Sequence, residues 1–278
     1  MKKIIFFLLI PFIFAAGVRV DLRYDYLRAG VTPRIQALGN TGIISATGPE
    51  SAYFNPALLI VDPDTSLLVG ATPLGFDQQQ YFAFYKLPIF YRNALFSVGF
   101  VSHQVSDIEV RTYRSDVPSS MMSASDMMLV LGISRYLGSN TSFGMSISWM
   151  MDNYSSEQAV ANFTFGLSHK FSDELLASTL VRYLGNGQFI AGTGFRLDVI
   201  DNLTIYASID GTATEGFVSL VPHYGLEYII AKNISIQAGY DGSSYSVGVR
   251  QRLDAIGFQI GYTSTDLGAR YSLGLELF

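Results

Sequence analysis

From about residue 65 to the end of the chain, apolar and polar positions alternate. Between Thr141 and Met151, Phe143, Met145, Ile147, Trp149 and Met151 point one way, while Ser142, Gly144, Ser146, Ser148 and Met150 point the other. The scheme recurs over 160–171, where Ala161, Phe163, Phe165, Leu167 and Phe171 oppose Asn162, Thr164, Gly166, Ser168 and Lys170. It returns at Leu203, Ile205, Ala207 and Ile209 against Thr204, Tyr206, Ser208 and Asp210. In the last segment Tyr271, Leu273, Leu275 and Leu277 oppose Ser272, Gly274 and Glu276. A period of two is the signature of a strand with two unlike faces. The pattern predicts fourteen strands, at 65–72, 79–87, 93–102, 124–136, 141–152, 158–170, 174–183, 188–197, 202–210, 217–229, 233–240, 244–252, 256–262 and 267–277. Strand boundaries read this way leave twelve or sixteen strands open.

One face is greasy and the other small and polar, which is what a membrane barrel presents to lipid and to its lumen. An even strand number returns both ends to the periplasmic side. The longest connection, about 102–123, then faces outward, and Leu137–Asn140, Phe171–Asp173, Ala231–Lys232 and Leu253–Ala255 form short inner turns. Within the long connection, Asp107 to Tyr113 alternates and is predicted to project as a hairpin, a candidate surface for a partner. Tyr81, Tyr85, Tyr91, Tyr136, Trp149, Tyr183, Tyr228, Tyr240, Tyr262 and Tyr271 sit where interfacial girdles belong.

Composition supports the barrel. Of 278 residues, 49% are hydrophobic, 14% aromatic and only 15% charged, against roughly 25% charged in soluble domains. Mean hydropathy is +0.28. Yet no stretch past the first twenty residues has the ~18 uninterrupted apolar residues of a spanning helix. Alternating strands satisfy a bilayer only when they close on themselves. Residues 1–17 read as a secretory signal, with Lys2 and Lys3, an apolar run from Ile4 to Phe14, and small residues at Ala15 and Gly17. Its removal moves the net charge from −5 to −7, a balance that argues against nucleic acid. The absence of cysteine excludes disulfides, thiolate metal sites and a lipoprotein anchor.

Residues 18–62 break the alternation. Small and turn-forming residues from Gln36 to Gly48 lead into Glu50 to Leu59, where Asn55 caps a predicted helix opened by Pro56. The chain therefore divides into a leader (1–17), an N-terminal plug of short helices and turns (18–62) and an outer-membrane β-barrel (63–278). Lys170, Arg196, Asp198, Asp210, Glu227, Arg250 and Glu276 fall on the inner face or its rim. They are expected to hold the plug through Arg19, Asp21, Arg23, Asp25, Arg28 or Arg34, because charges in a closed lumen require partners. His103, His169 and His223 lie on separate segments without metal-ligand spacing, and no catalytic or phosphate-binding motif occurs. Neither enzyme activity, nor a cofactor, nor a metal site is expected.

The stretch Ala37-Leu38-Gly39-Asn40-Thr41-Gly42, followed by Glu50-Ser51-Ala52-Tyr53-Phe54 and then Asn55-Pro56-Ala57, resembles the N-terminal segment of the PorV/PorQ family within the FadL-like outer-membrane barrels. Ser123-Ala124-Ser125-Asp126, Gly132-Ile133-Ser134-Arg135-Tyr136-Leu137 and Phe143-Gly144-Met145-Ser146 look like PorV as well. The resemblance implies a fourteen-stranded barrel with an internal plug, whose motif residues here are Gly39, Gly42, Asn55, Pro56 and Ala57. It also implies that Phe278 is a terminal aromatic read by the barrel-assembly machinery, although Phe278 is out of phase with the outward series ending at Leu277. Long outer insertions like those of FadL proper are absent. The expected function is thus an accessory or scaffold barrel in the outer membrane, surrounded by lipid and engaging a secretion-system or surface protein. The alternative is a FadL-like passive transporter of a small hydrophobic ligand, and a purely structural barrel is the third reading.

Overall fold

The computed structural model describes residues 30–62, 64–75, 77–89, 94–111, 118–152, 160–185, 187–214, 217–265 and 268–278. The predicted leader 1–17, the charges from Arg19 to Arg28, Tyr91, Thr112 and Tyr113 lie outside the described residues.

Fourteen antiparallel strands form one closed barrel: β1 (Ser66–Gly75), β2 (Gln78–Ile89), β3 (Ala94–Val110), β4 (Ser120–Tyr136), β5 (Thr141–Asp152), β6 (Val160–Lys170), β7 (Leu175–Tyr183), β8 (Phe189–Ile200), β9 (Leu203–Thr214), β10 (Phe217–Ala231), β11 (Ile234–Tyr240), β12 (Tyr245–Leu253), β13 (Ile256–Thr265) and β14 (Gly268–Leu277). Each pairs with its neighbours in sequence, and β14 closes on β1 with Leu67 opposite Leu277. Closure leaves no sheet edge along the wall, as hydrocarbon surroundings demand.

All fourteen predicted segments are strands. The main difference is the long outer loop expected over 102–123, which is mostly ladder. β3 continues to Val110, and Ile108, Glu109 and Val110 pair with Met122, Met121 and Ser120. The register shifts between Val105 and Ile108, where Asp107 takes a positive φ of 54°. A short polar side chain tolerates that conformation, so the hairpin bends there and resumes its pairing.

The two faces separate as the period requires. Phe163, Phe165, Ile260 and Leu273 are exposed on the outside, while Asn162, Thr164, Ser168, Ser272 and Glu276 are buried inside. The end of the barrel that carries Ser66 and Leu277 is the termini end; the other is the far end. Near the far end, cross-strand aromatic pairs ring the exterior: Tyr183 with Phe189 at 5.1 Å, Tyr240 with Tyr245 at 4.9 Å and Tyr262 with Tyr271 at 5.3 Å between centroids. Tyr136 and Tyr228 are exposed toward the termini end.

Residues 30–62 lie inside the barrel as α1 (Pro33–Ala37), α2 (Gly42–Ser45), α3 (Ser51–Phe54) and a 3-10 helix at Pro56–Ile60. From Gly30 to Ile60 every residue except Asn40 and Thr47 is buried. Pro33 and Pro56 open their helices, where a missing N–H costs nothing. The Asn55 side chain accepts from Ala57 N at 3.2 Å and donates to Ile43 O at 2.8 Å, tying two plug turns together.

The exposed position of Phe165, midway along β6, yields a first test. Phe165→Arg is expected to lower barrel stability by about 2–4 kcal/mol in lipid, measured by urea unfolding in vesicles.

Candidate functional site

The plug helices are only four or five residues long, so most of their carbonyls have no partner within the helix. The wall supplies the donors. Ser97 Oγ donates to Pro49 O at 2.7 Å, Ser142 Oγ to Ala57 O at 2.7 Å, Ser178 Oγ to Ile43 O at 2.6 Å and Ser246 Oγ to Ala37 O at 3.2 Å. Tyr136 Oη reaches Ile60 O at 3.3 Å, Lys86 Nζ reaches Asp62 O at 2.6 Å, and Arg182 Nη2 donates to Tyr53 O. His223 Nδ1 lies 3.0 Å from Gly39 O. A carbonyl only accepts, so Nδ1 carries the proton there.

These bonds need the plug backbone close to the wall, and lumen-facing glycines allow it. A Cβ on Gly144 would overlap the Pro56 carbonyl, and one on Gly166 would overlap Asn55 Oδ1. On the plug side, Gly39 has φ of +64° and lies against the backbone of Tyr224 and Tyr240, while Gly42 lies under the Phe54 ring. All five plug-motif residues, Gly39, Gly42, Asn55, Pro56 and Ala57, thus stand at points of close packing.

Of the inner-face charges, Glu227 makes the ion pair with the plug. Its Oε2 receives Arg34 Nη2 at 2.7 Å, and Ser235 and Gln237 each donate to its Oε1 at 3.0 Å. Arg34 also donates to Ser45 O at 2.6 Å and to Tyr206 Oη at 3.2 Å. Burial works against the Arg34 charge, but Glu227 outweighs it and holds the guanidinium above its ordinary pKa. Arg196 pairs with Asp198 at 2.9 Å on the same strand, Arg250 on β12 pairs with Glu276 on β14 at 2.7 Å, and Asp210 lies 3.5 Å from His223 Nε2. Lys170 is at the termini rim, bound to Asp173 at 2.6 Å. His103 faces Asp126 at 3.8 Å, and His169 Nδ1 is 2.8 Å from Thr141 Oγ1. The Phe278 N–H donates to Ala255 O at 3.0 Å, and Arg252 stacks 3.7 Å from its ring centroid.

Sequence reasoning missed two plug-facing groups of the wall, Lys86 and Arg182, and one group within the plug, Glu50. Lys86 has a side chain with no exposure at all, and Arg182 holds the plug from β7. Glu50 is buried in the plug, with Oε2 lacking a hydrogen-bond partner among the described residues. The available signal for Lys86 was its phase, since it shares an inward series with Gln80, Phe82 and Phe84.

That series corrects the expectation of a uniformly polar inner face. Ladder register puts Gly70, Phe82, Val101, Met128 and Met150 on one inward rung across β1–β5. The next rung toward the termini carries Leu68, Phe84, Gly99, Val130 and Ser148. Phe82 covers Gly70 and Phe84 covers Gly99, each ring filling the place of the missing side chain. Tyr53 and Phe54 of the plug join this cluster, with Tyr53 stacked edge-on to Phe54 at 4.8 Å and to Phe84 at 6.2 Å. A polar rung of Thr72, Gln80, His103 and Asp126 bounds the patch toward the far end. The inner face is apolar here because it meets apolar plug side chains rather than water.

No family model matches the chain, and no curated protein is similar to it in sequence. Solved structures are similar in fold. The Pseudomonas putida toluene transporter TodX aligns with a TM-score of 0.62 at 13% identity, over 89% of this chain and 97% of that one. The Ralstonia pickettii toluene transporter TbuX gives 0.64 at 9% identity, over 91% and 98%. A Pseudomonas aeruginosa FadL homologue gives 0.62 at 11% identity, over 89% and 98%. The likeness is one of fold, a closed antiparallel β-barrel of the outer-membrane channel type seen in those structures.

Two outcomes follow from plug seating. Gly144→Leu should unseat the Pro56 turn, so that residues 30–62 become sensitive to protease while the barrel keeps its heat-modifiable gel mobility. Glu50 has its carboxyl raised above the ordinary carboxylate range, by burial first and by repulsion from Glu276 second. The native state then holds that proton more tightly than the unfolded chain does. The resulting stability is complete below the ordinary carboxylate pKa and is lost as pH rises through the raised value. Glu50→Gln is expected to abolish this loss, read as protease resistance of the plug between about pH 4 and about pH 8.

Proposed function

We propose that the chain is an outer-membrane channel through which small hydrophobic compounds pass passively. The observation that carries this reading is the apolar patch facing the lumen on β1–β5, floored by Tyr53 and Phe54. Phe82, Val101 and Met128 pack against the plug here, and once the plug shifts they offer a hydrophobic solute a surface it reaches without desolvating polar groups. Fold likeness to structures named as toluene transporters supports the same reading. Passage requires the plug contacts to shift, since the plug fills the lumen beside the patch. The leader 1–17 would direct export, outer-membrane lipid would surround the wall, and Phe278 would serve the assembly machinery.

One observation favours the second reading, a PorV/PorQ-type accessory barrel. The β3–β4 hairpin carries exposed Met121 and Met122 together with Glu109 and Arg111, a surface suited to a secreted or secretion-system protein.

Uptake of a monocyclic aromatic hydrocarbon by intact cells lacking their own hydrocarbon channels separates the two. Expression of the chain should accelerate uptake, and Met128→Asp should reduce it by about tenfold or more, because the new carboxylate is costly to pass in an apolar passage. Uptake no faster than in cells without the chain would remove the channel reading and leave the scaffold.

A further inference from the structure

On the termini side of the plug, the five strands β8 to β12 and the plug residues Arg34 and Thr47 surround a cavity of about 290 Å³. Its charge is concentrated in a way the composition does not prepare for. The whole chain has 18 basic and 23 acidic residues, yet Arg34, Arg196, Lys232, Arg250 and Arg252 line this one cavity beside a single carboxylate, Glu227. That carboxylate is engaged by Arg34, Tyr206, Ser235 and Gln237. Asp198, Glu276 and Asp64, the partners of Arg196, Arg250 and Arg252, do not belong to the lining. Each of these guanidinium groups has more N–H donors than its carboxylate partner engages. Arg250 Nε is buried without an acceptor among the described residues, and Lys232 is exposed at the cavity mouth.

Cations that line one cavity repel one another, and the repulsion grows as water is excluded. An anion in the cavity offsets it and supplies the missing acceptor. The donors approach from β8, from the β10–β11 turn and from β12, so they converge from several directions rather than in one plane. Such a set matches a tetrahedral oxyanion better than a flat carboxylate, and arginine forks are suited to it.

We propose that this cavity binds a phosphate group, as inorganic phosphate, a soluble phosphomonoester or the headgroup of a lipid in the adjoining leaflet. The site is separate from the apolar patch and does not depend on the channel reading. The test uses the purified full-length protein in non-ionic detergent, titrated calorimetrically with inorganic phosphate, with glycerol phosphate, and with micelles doped with phosphatidic acid. Saturable phosphate binding is expected, weakened at least about tenfold in the Lys232→Gln/Arg252→Gln double variant, since each charge-assisted contact contributes appreciably. Heat-modifiable gel mobility of the variant establishes that it is folded. Displacement of phosphate by phosphatidic acid would identify a lipid headgroup as the occupant; displacement by glycerol phosphate alone would identify a soluble one. The proposal is overturned if the wild-type protein binds none of the three, if the double variant binds them unchanged, or if acetate competes as well as phosphate does.

Discussion

Inside a bilayer every main-chain N–H and C=O must find a partner without help from water. The wall of this protein meets that demand by closure, with β14 returned to β1. The plug has no ladder to rely on. Its helices are a single turn each, and its carbonyls are satisfied one by one by side chains of the wall. The serine-rich, glycine-rich inner face is therefore more than a small polar surface. Serine supplies a donor on a short tether, and glycine lets the plug backbone come within its reach.

Charge follows the same logic. Arg34 is buried, and leaving it unpaired would be strongly destabilising. Glu227 meets it, and Ser235, Gln237 and Tyr206 complete the coordination. Breaking one member of such a set costs more than the pair itself contributes, so the network specifies where α1 sits. The remaining wall charges pair mainly among themselves around the termini rim, which separates a polar floor from the apolar patch on β1–β5.

The period-two pattern was enough to locate every strand, because a strand buried on one side and greasy on the other writes its geometry into alternate residues. Ser142, Gly144 and Ser146 against Phe143, Met145 and Ile147 leave no other reading. The capped turn at Asn55-Pro56 was legible for a similar local reason: its hydrogen bond spans two residues. The patch was not legible. Along Tyr81-Phe82-Ala83-Phe84-Tyr85 both faces are apolar, so alternation cannot tell lipid from lumen, and only ladder register places Phe82 beside Val101 and Met128.

Sequence by itself thus determined where the strands lie, which face of most of them meets lipid, the existence of an irregular segment before the barrel and the acidic, cysteine-free character of the chain. These are local properties, carried by neighbours two to four residues apart. Tertiary structure alone decided that Arg34 meets Glu227, which glycines yield to the plug, and which inward faces stay dry. Arg34 and Glu227 stand 193 positions apart in the chain. Such pairings arise only once the cylinder has closed and its interior must be filled.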